Sequence, residues 1–196
     1  MTLMERDERP EMPTPEMPEK FRITAALYHQ MFELGAFEGK RVELLEGEIY
    51  EMSAMPDPHA AALTFFGREL NQKLLEHAWI IQETPITLDE QQDGEPEPDF
   101  ALLKAEKVRR GKQHARDLSL VVEISDSSLK RDRTMKVRLY ARANIPEYWI
   151  INLNTDPNTL EVYREPDGDE YLERKVYKVG QDVAPLEFPE ILIRWW

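Results

Sequence analysis

The heptapeptide LSLVVEI (118–124) carries an apolar side chain at five of its seven positions. Its short length and paired central valines mark it as a strand, and apolar side chains on both alternating faces place it centrally in a sheet covered on both sides. One residue does not fit that environment. Alternation puts Glu123 on the face of Val121, with Val122 and Ile124 on the other. A carboxylate there is costly to bury alone and needs a cation or a set of donors. A chain folding around this strand must supply such a partner.

The segments on either side alternate between two periodicities. Thr24 has the chemistry of a helix N-cap, and Leu27, Met31 and Leu34 follow at helical spacing until Gly35 or Gly39. VELLEGEIYEM (42–52) predicts a hairpin turning at Glu46-Gly47. After Pro56 and Pro58, the series His59, Leu63, Phe66, Leu70, Leu74 predicts an amphipathic helix to about His77. WIIQE (79–83), ITL (86–88) and DFALL (99–103) predict strands, with an acidic turn at 89–98 and a basic loop at 104–116. Ser127 or Ser128 can cap a helix to Ala143 that buries Met135, Leu139 and Tyr140, and Pro146 closes it. EYWIINL (147–153), TLEVYR (159–164) and EYLERKVY (170–177) complete the strands, the last two joined by EPDGD. This order predicts an α/β fold: a mixed central β-sheet flanked by helices.

With 196 residues the chain is one domain with room for a tail. Residues 1–20 hold four of the 14 prolines, six acids and no periodic apolar pattern, and are expected to form a disordered leader to a domain spanning 21–196. The absence of cysteine excludes disulfides, cysteine-ligated zinc, iron–sulfur clusters and thiol nucleophiles. No apolar run of 18 residues predicts a membrane span, and the N-terminus lacks the pattern of a secretory signal, so a cytoplasmic location is expected. The net charge of −13 argues on average against a polyanionic partner. The charge is unevenly sorted, however. Segments 104–116 and 130–142 hold twelve bases and two acids, a local excess of +10 over 26 residues. These are either solvated surface or a basic face on an acidic body.

Four acids stand at strand starts or ends: Glu43, Asp99, Glu123 and Asp126. A hard divalent cation held by carboxylate oxygens, a backbone carbonyl such as that of Ile124, and waters would compensate Glu123 and Asp99 together. Taken singly, each acid has a plainer reading: a salt bridge for Glu123, an Asx turn after Pro98 for Asp99, an edge-strand acid for Glu43. A lysine beside such a pair would complete a hydrolytic site for phosphodiesters. Lys136, on the helix after Glu123, is the favoured candidate, and a solvated lysine is its plainer reading.

Together, VELLEGEIYEMS, PDPHAAAL, PEPDFALL and LSLVVEISDSSLKRDRTMKVRLYARANIPEYWIINL resemble, in order and spacing, the Uma family of endonucleases within the PD-(D/E)XK nuclease superfamily. The resemblance covers about residues 22–196 and is most specific over 118–153. It implies a restriction-endonuclease-like fold and metal-dependent cleavage of DNA phosphodiesters, with Mg²⁺ or Mn²⁺ as the cofactor. Asp99 resembles the superfamily's first metal ligand, Glu123 the acid of its (D/E)XK element, and Glu43 a further glutamate from the hairpin. The motif lysine should stand at position 125, which is Ser125 here. The Uma pattern moves it to the next helix as Lys136, with Lys130 as rival. His59 also matches a family position, as a structural or a chemical residue. Cutting both strands of a duplex with one small domain implies a homodimer. Two other readings stay open: a non-enzymatic nucleic-acid or protein binding module on the same fold, and a hydrolase of small phosphoesters.

Overall fold

In the computed structural model, residues 19–88, 93–104, 111 and 113–195 are described. The expected leader, 1–20, lies almost wholly outside them, as does most of the basic loop at 104–116. The chain opens with α1 (Ala25–Glu33), whose first turn is capped by the Thr24 side chain accepting from Leu27 N–H. The hairpin β1 (Val42–Leu45) and β2 (Glu48–Glu51) follows. Its two turn residues, Glu46 and Gly47, have φ of 48° and 74°. Two consecutive positive φ values match the right-handed twist of the strands, which is why glycine is needed at one of them.

The central sheet has six strands in the order β10-β9-β8-β7-β5-β3. These are β3 (Trp79–Gln82), β5 (Phe100–Leu103), β7 (Leu118–Ser125), β8 (Glu147–Asn152), β9 (Thr159–Asp167) and β10 (Glu170–Lys178). Only β7 and β8 run parallel; the other neighbours are antiparallel. The LSLVVEI segment is thus an interior strand, and every residue of it is buried. Helix α2 (Asp57–Leu74) lays Leu63, Phe66 and Leu70 on the sheet face formed by Phe100, Val122, Ile124 and Trp149. The opposite face, with Ala101, Val121, Tyr148 and Ile150, is covered by Leu139 and Tyr140 of the helical segment after β7. No helix among the described residues is long and apolar enough to cross a membrane.

Four local expectations are corrected. ITL (86–88) forms only the two-residue β4 (Ile86–Thr87), paired in parallel with β6 (Gln113–His114) outside the central sheet. A two-residue pairing inside the segment expected to be a loop has no periodicity to read. Second, the helix expected as unbroken from Ser127 to Ala143 is α3 (Leu129–Arg131), a π-helical turn Asp132–Lys136, and α4 (Val137–Arg142). Val137 N–H reaches back five residues to Asp132 O. Third, Ser128 does not cap this helix, because its hydroxyl donates to the Asp132 carboxylate at 2.5 Å instead. Fourth, a C-terminal pair, β11 (Asp182–Val183) and β12 (Ile193–Arg194), was not expected from the pattern.

Candidate active site

Glu123 lies near the C-terminal end of β7, 4% exposed, on the sheet face that α4 covers. Lys136, the last residue of the π turn, is 2% exposed. Its ammonium donates to Glu123 Oε1 at 2.9 Å and stands 3.2 Å from Glu43 Oε2. The hairpin strand β1 carries Glu43, 1% exposed, and Arg131 reaches its other oxygen at 3.5 Å. Tyr140, one turn after Lys136, donates its hydroxyl to the same Glu123 Oε1 at 2.6 Å. Among the described residues no donor is bonded to Glu123 Oε2.

Asp99 stands just before β5 and continues its ladder, with Glu83 N–H donating to Asp99 O. Since Ala101 pairs with Val121, Asp99 and Glu123 each stand two residues further along on that same face. Asp99 Oδ2 accepts the Ile124 N–H at 2.6 Å, tying the two strand ends together. Its Oδ1 lies 2.8 Å from His59 Nε2, in the first turn of α2. Glu43, Asp99, Glu123, Ile124 and Lys136 all border one cleft of about 710 Å³. His59 and Lys130 border it too.

Burial pushes the Glu123 carboxyl up to about 8, with Lys136 opposing and Asp132, Asp99 and Glu43 adding to the rise. For Lys136, burial pulls the ammonium down, but Glu123, Glu43 and Asp132 outweigh it, so the lysine stays charged. The pair is thus a firmly charged lysine and a carboxyl that a further cation in the cleft would bring down. His59 is also raised: burial lowers it, and the hydrogen bond and charge of Asp99 more than compensate.

Asp99 and Glu123 offer carboxylate oxygens, the kind of ligand a hard divalent ion takes. No group of three or more His, Asp or Glu side chains converges on one point among the described residues. An ion here would therefore be held by the Asp99 and Glu123 carboxylates, a backbone carbonyl and waters.

The basic segment 130–142 does not form the free face that its charge suggested. Arg131 pairs with Glu43, Arg133 with Glu161, Lys136 with Glu123, Arg138 with Glu46, and Arg142 with Asp169. Lys130 is its one base without such a partner among the described residues. Three partners, Glu43, Glu46 and Glu161, come from β1, the hairpin turn and β9, distant in sequence, which is why residue counts within the segment did not reveal those pairings.

Two residues of the site had no assigned part in the sequence reading. Tyr140 was expected only as core. Asp132, 1% exposed, accepts from Ser125 Oγ at 2.6 Å and from Ser128 Oγ. Ser125 thereby anchors the π turn that carries Lys136 to the end of β7. The spacings 132, 136, 140 on one helix face are the signal that could have found both.

No curated protein matches this chain. A crystal structure described as "a putative nuclease belonging to DUF820", from Anabaena variabilis ATCC 29413, is similar in fold, with a TM-score of 0.67. It is 18% identical, and the match covers 88% of this chain and 94% of that one. The Uma2 family, described as "Putative restriction endonuclease", matches residues 25–194. With 170 of 196 residues inside that match, the chain belongs to the Uma2 family.

Proposed function

We propose that this protein is a metal-dependent endonuclease that hydrolyses DNA phosphodiester bonds in the cytoplasm. The observation that carries the reading is Lys136: a buried ammonium 2.9 Å from Glu123 and 3.2 Å from Glu43, in the cleft that Asp99 also borders. A charged amine held at a cleft wall by two carboxylates is preorganised to meet the negative charge that develops as a phosphodiester is attacked. Asp99 and Glu123, with the Ile124 carbonyl, would hold Mg²⁺, or Mn²⁺ in its place. When bound, such an ion supplies Lewis-acid polarisation of a phosphoryl oxygen. Glu43 orients Lys136 from the hairpin side. Ile124 N–H fixes Asp99, so β5 and β7 present their carboxylates together. One cleft serves one strand, so cutting a duplex would engage a homodimer.

Purified protein incubated with supercoiled and single-stranded DNA should cleave in Mg²⁺ or Mn²⁺ and not in EDTA. Asp99→Asn and Glu123→Gln should abolish cleavage while the far-UV spectrum stays unchanged. Cleavage that persists in either variant would place the chemistry elsewhere. A second reading, a binding module, is favoured by the fact that Glu43, Lys136 and Glu123 already form a closed ion triad. It predicts binding without cleavage under every ion, and turnover of nucleotides alone would point to a small-phosphoester hydrolase.

A further inference from the structure

We infer that Tyr140 is a positioning residue for the metal-binding carboxylate of Glu123; this rests on the nuclease reading of the site. Two donors from successive turns meet on a single oxygen. Lys136 Nζ lies 2.9 Å and the Tyr140 hydroxyl 2.6 Å from Glu123 Oε1. The residues are four apart on one helical segment, so the same face delivers both. With Oε1 saturated by two donors, Oε2 is the oxygen left for a ligand in the cleft. A carboxylate held by one donor can rotate about its terminal bond, which has a broad torsional minimum. Held by two, it is fixed in orientation.

Tyr140 is built for this task. It is fully buried and its ring packs edge-on against Tyr148, with centroids 4.9 Å apart. The ring is therefore held by packing, and the hydroxyl has one direction in which to donate. Partners that orient metal-binding carboxylates commonly change ion affinity by about 10- to 100-fold when removed. Tyr148 supplies an internal control. It is equally buried and on the same sheet face, but its hydroxyl donates to Asp132 O at 3.3 Å and not to Glu123.

The test is Mn²⁺ binding without DNA, followed by electron paramagnetic resonance, in wild type, Tyr140→Phe and Tyr148→Phe. Tyr140→Phe should weaken Mn²⁺ by about 10-fold or more. At saturating Mn²⁺ it should lower kcat for DNA cleavage with the KM for DNA unchanged. Tyr148→Phe should bind Mn²⁺ as wild type does. If Tyr140→Phe fails to fold, Tyr140→4-aminophenylalanine, which keeps a donor at the ring tip, should retain wild-type Mn²⁺ affinity. Wild-type affinity in Tyr140→Phe overturns the inference, as does a folded 4-aminophenylalanine protein with weakened binding. If wild type takes up no Mn²⁺ and cuts no DNA, the nuclease reading falls along with it. If wild type does both and Tyr140→Phe matches it, the inference falls alone.

Discussion

Lys136 is the residue on which both stability and the proposed chemistry converge. It sits between two carboxylates that are themselves buried, so the triad is stable only when complete. Removing one partner of a buried pair leaves an uncompensated charge, which costs about 3–5 kcal/mol. Lys136→Met should therefore lower stability by about that amount in urea denaturation, and cleavage by a factor of about 10² or more. A variant of unchanged stability would show that the triad contributes nothing to folding. Lys130 is different in kind. It is exposed at the cleft, without an acidic partner among the described residues, and contributes through the electrostatic field. Lys130→Ala should leave kcat nearly intact and reduce the slope of log affinity against log salt by about 1, as for one lost phosphate contact. A large fall in kcat instead would make Lys130 the catalytic lysine.

At the scale of elements, the helical segment after β7 is locked onto the sheet by ion pairs as much as by apolar packing. Glu161 of β9 is the clearest case, because its buried carboxylate accepts from Arg133 in the π turn and from Arg174 in β10. Burial raises its carboxyl, but the hydrogen bonds of Arg133, Tyr163 and Arg174 and the charge of Arg174 outweigh burial, and the net shift is downward from 4.5. A lowered carboxyl stabilises the fold above its unfolded value, and that stabilisation is lost as pH falls through the lowered folded value. Glu161→Gln should thus cost about 1.5–3 kcal/mol at neutral pH, the worth of a hydrogen bond to a charged group. The difference between wild type and variant should shrink at pH 3 and below. Urea midpoints measured across pH 3–7 decide it, and a gap that stayed constant with pH would assign Glu161 a packing role only.

For the whole molecule, the sign of the charge sets how DNA can be met. The protein carries −13, and the cleft is bordered by seven carboxylates against four lysines and arginines among the described residues. Such a surface repels a phosphodiester backbone until cations occupy it. Ca²⁺ takes oxygen ligands as Mg²⁺ does, in looser geometry, and serves as a probe of binding. DNA affinity measured by fluorescence anisotropy should be at least about 10-fold tighter in Ca²⁺ than in EDTA, and Asp126→Asn, which removes a carboxylate at the cleft border, should bind DNA in EDTA more tightly than wild type. Equal affinity in both buffers would mean that DNA is gripped outside this cleft.

Much of this architecture was legible because it is local. LSLVVEI announces an interior strand by composition alone, and β7 lies between β5 and β8. Gly47 announces the hairpin turn, because glycine takes without steric cost the positive φ of 74° that the turn requires. The face of Glu123 follows from strict alternation, and the covering helix puts its donors on that face. What the chain does not write locally is which partner each charge finds. Arg138 bonds to Glu46 across 92 residues and Arg133 to Glu161 across 28, so a basic run in sequence becomes a set of closed ion pairs in space. The choice of Lys136 as the lysine beside Glu123 depends on how the segment after β7 sits over the sheet. That placement is set by Leu139 and Tyr140 packing on the core and by Asp132 bonding to Ser125, contacts that exist only once the sheet has formed. Periodicity and turn chemistry act over a few residues and can be read along the chain; electrostatic pairing acts through space, and only the tertiary structure decides it.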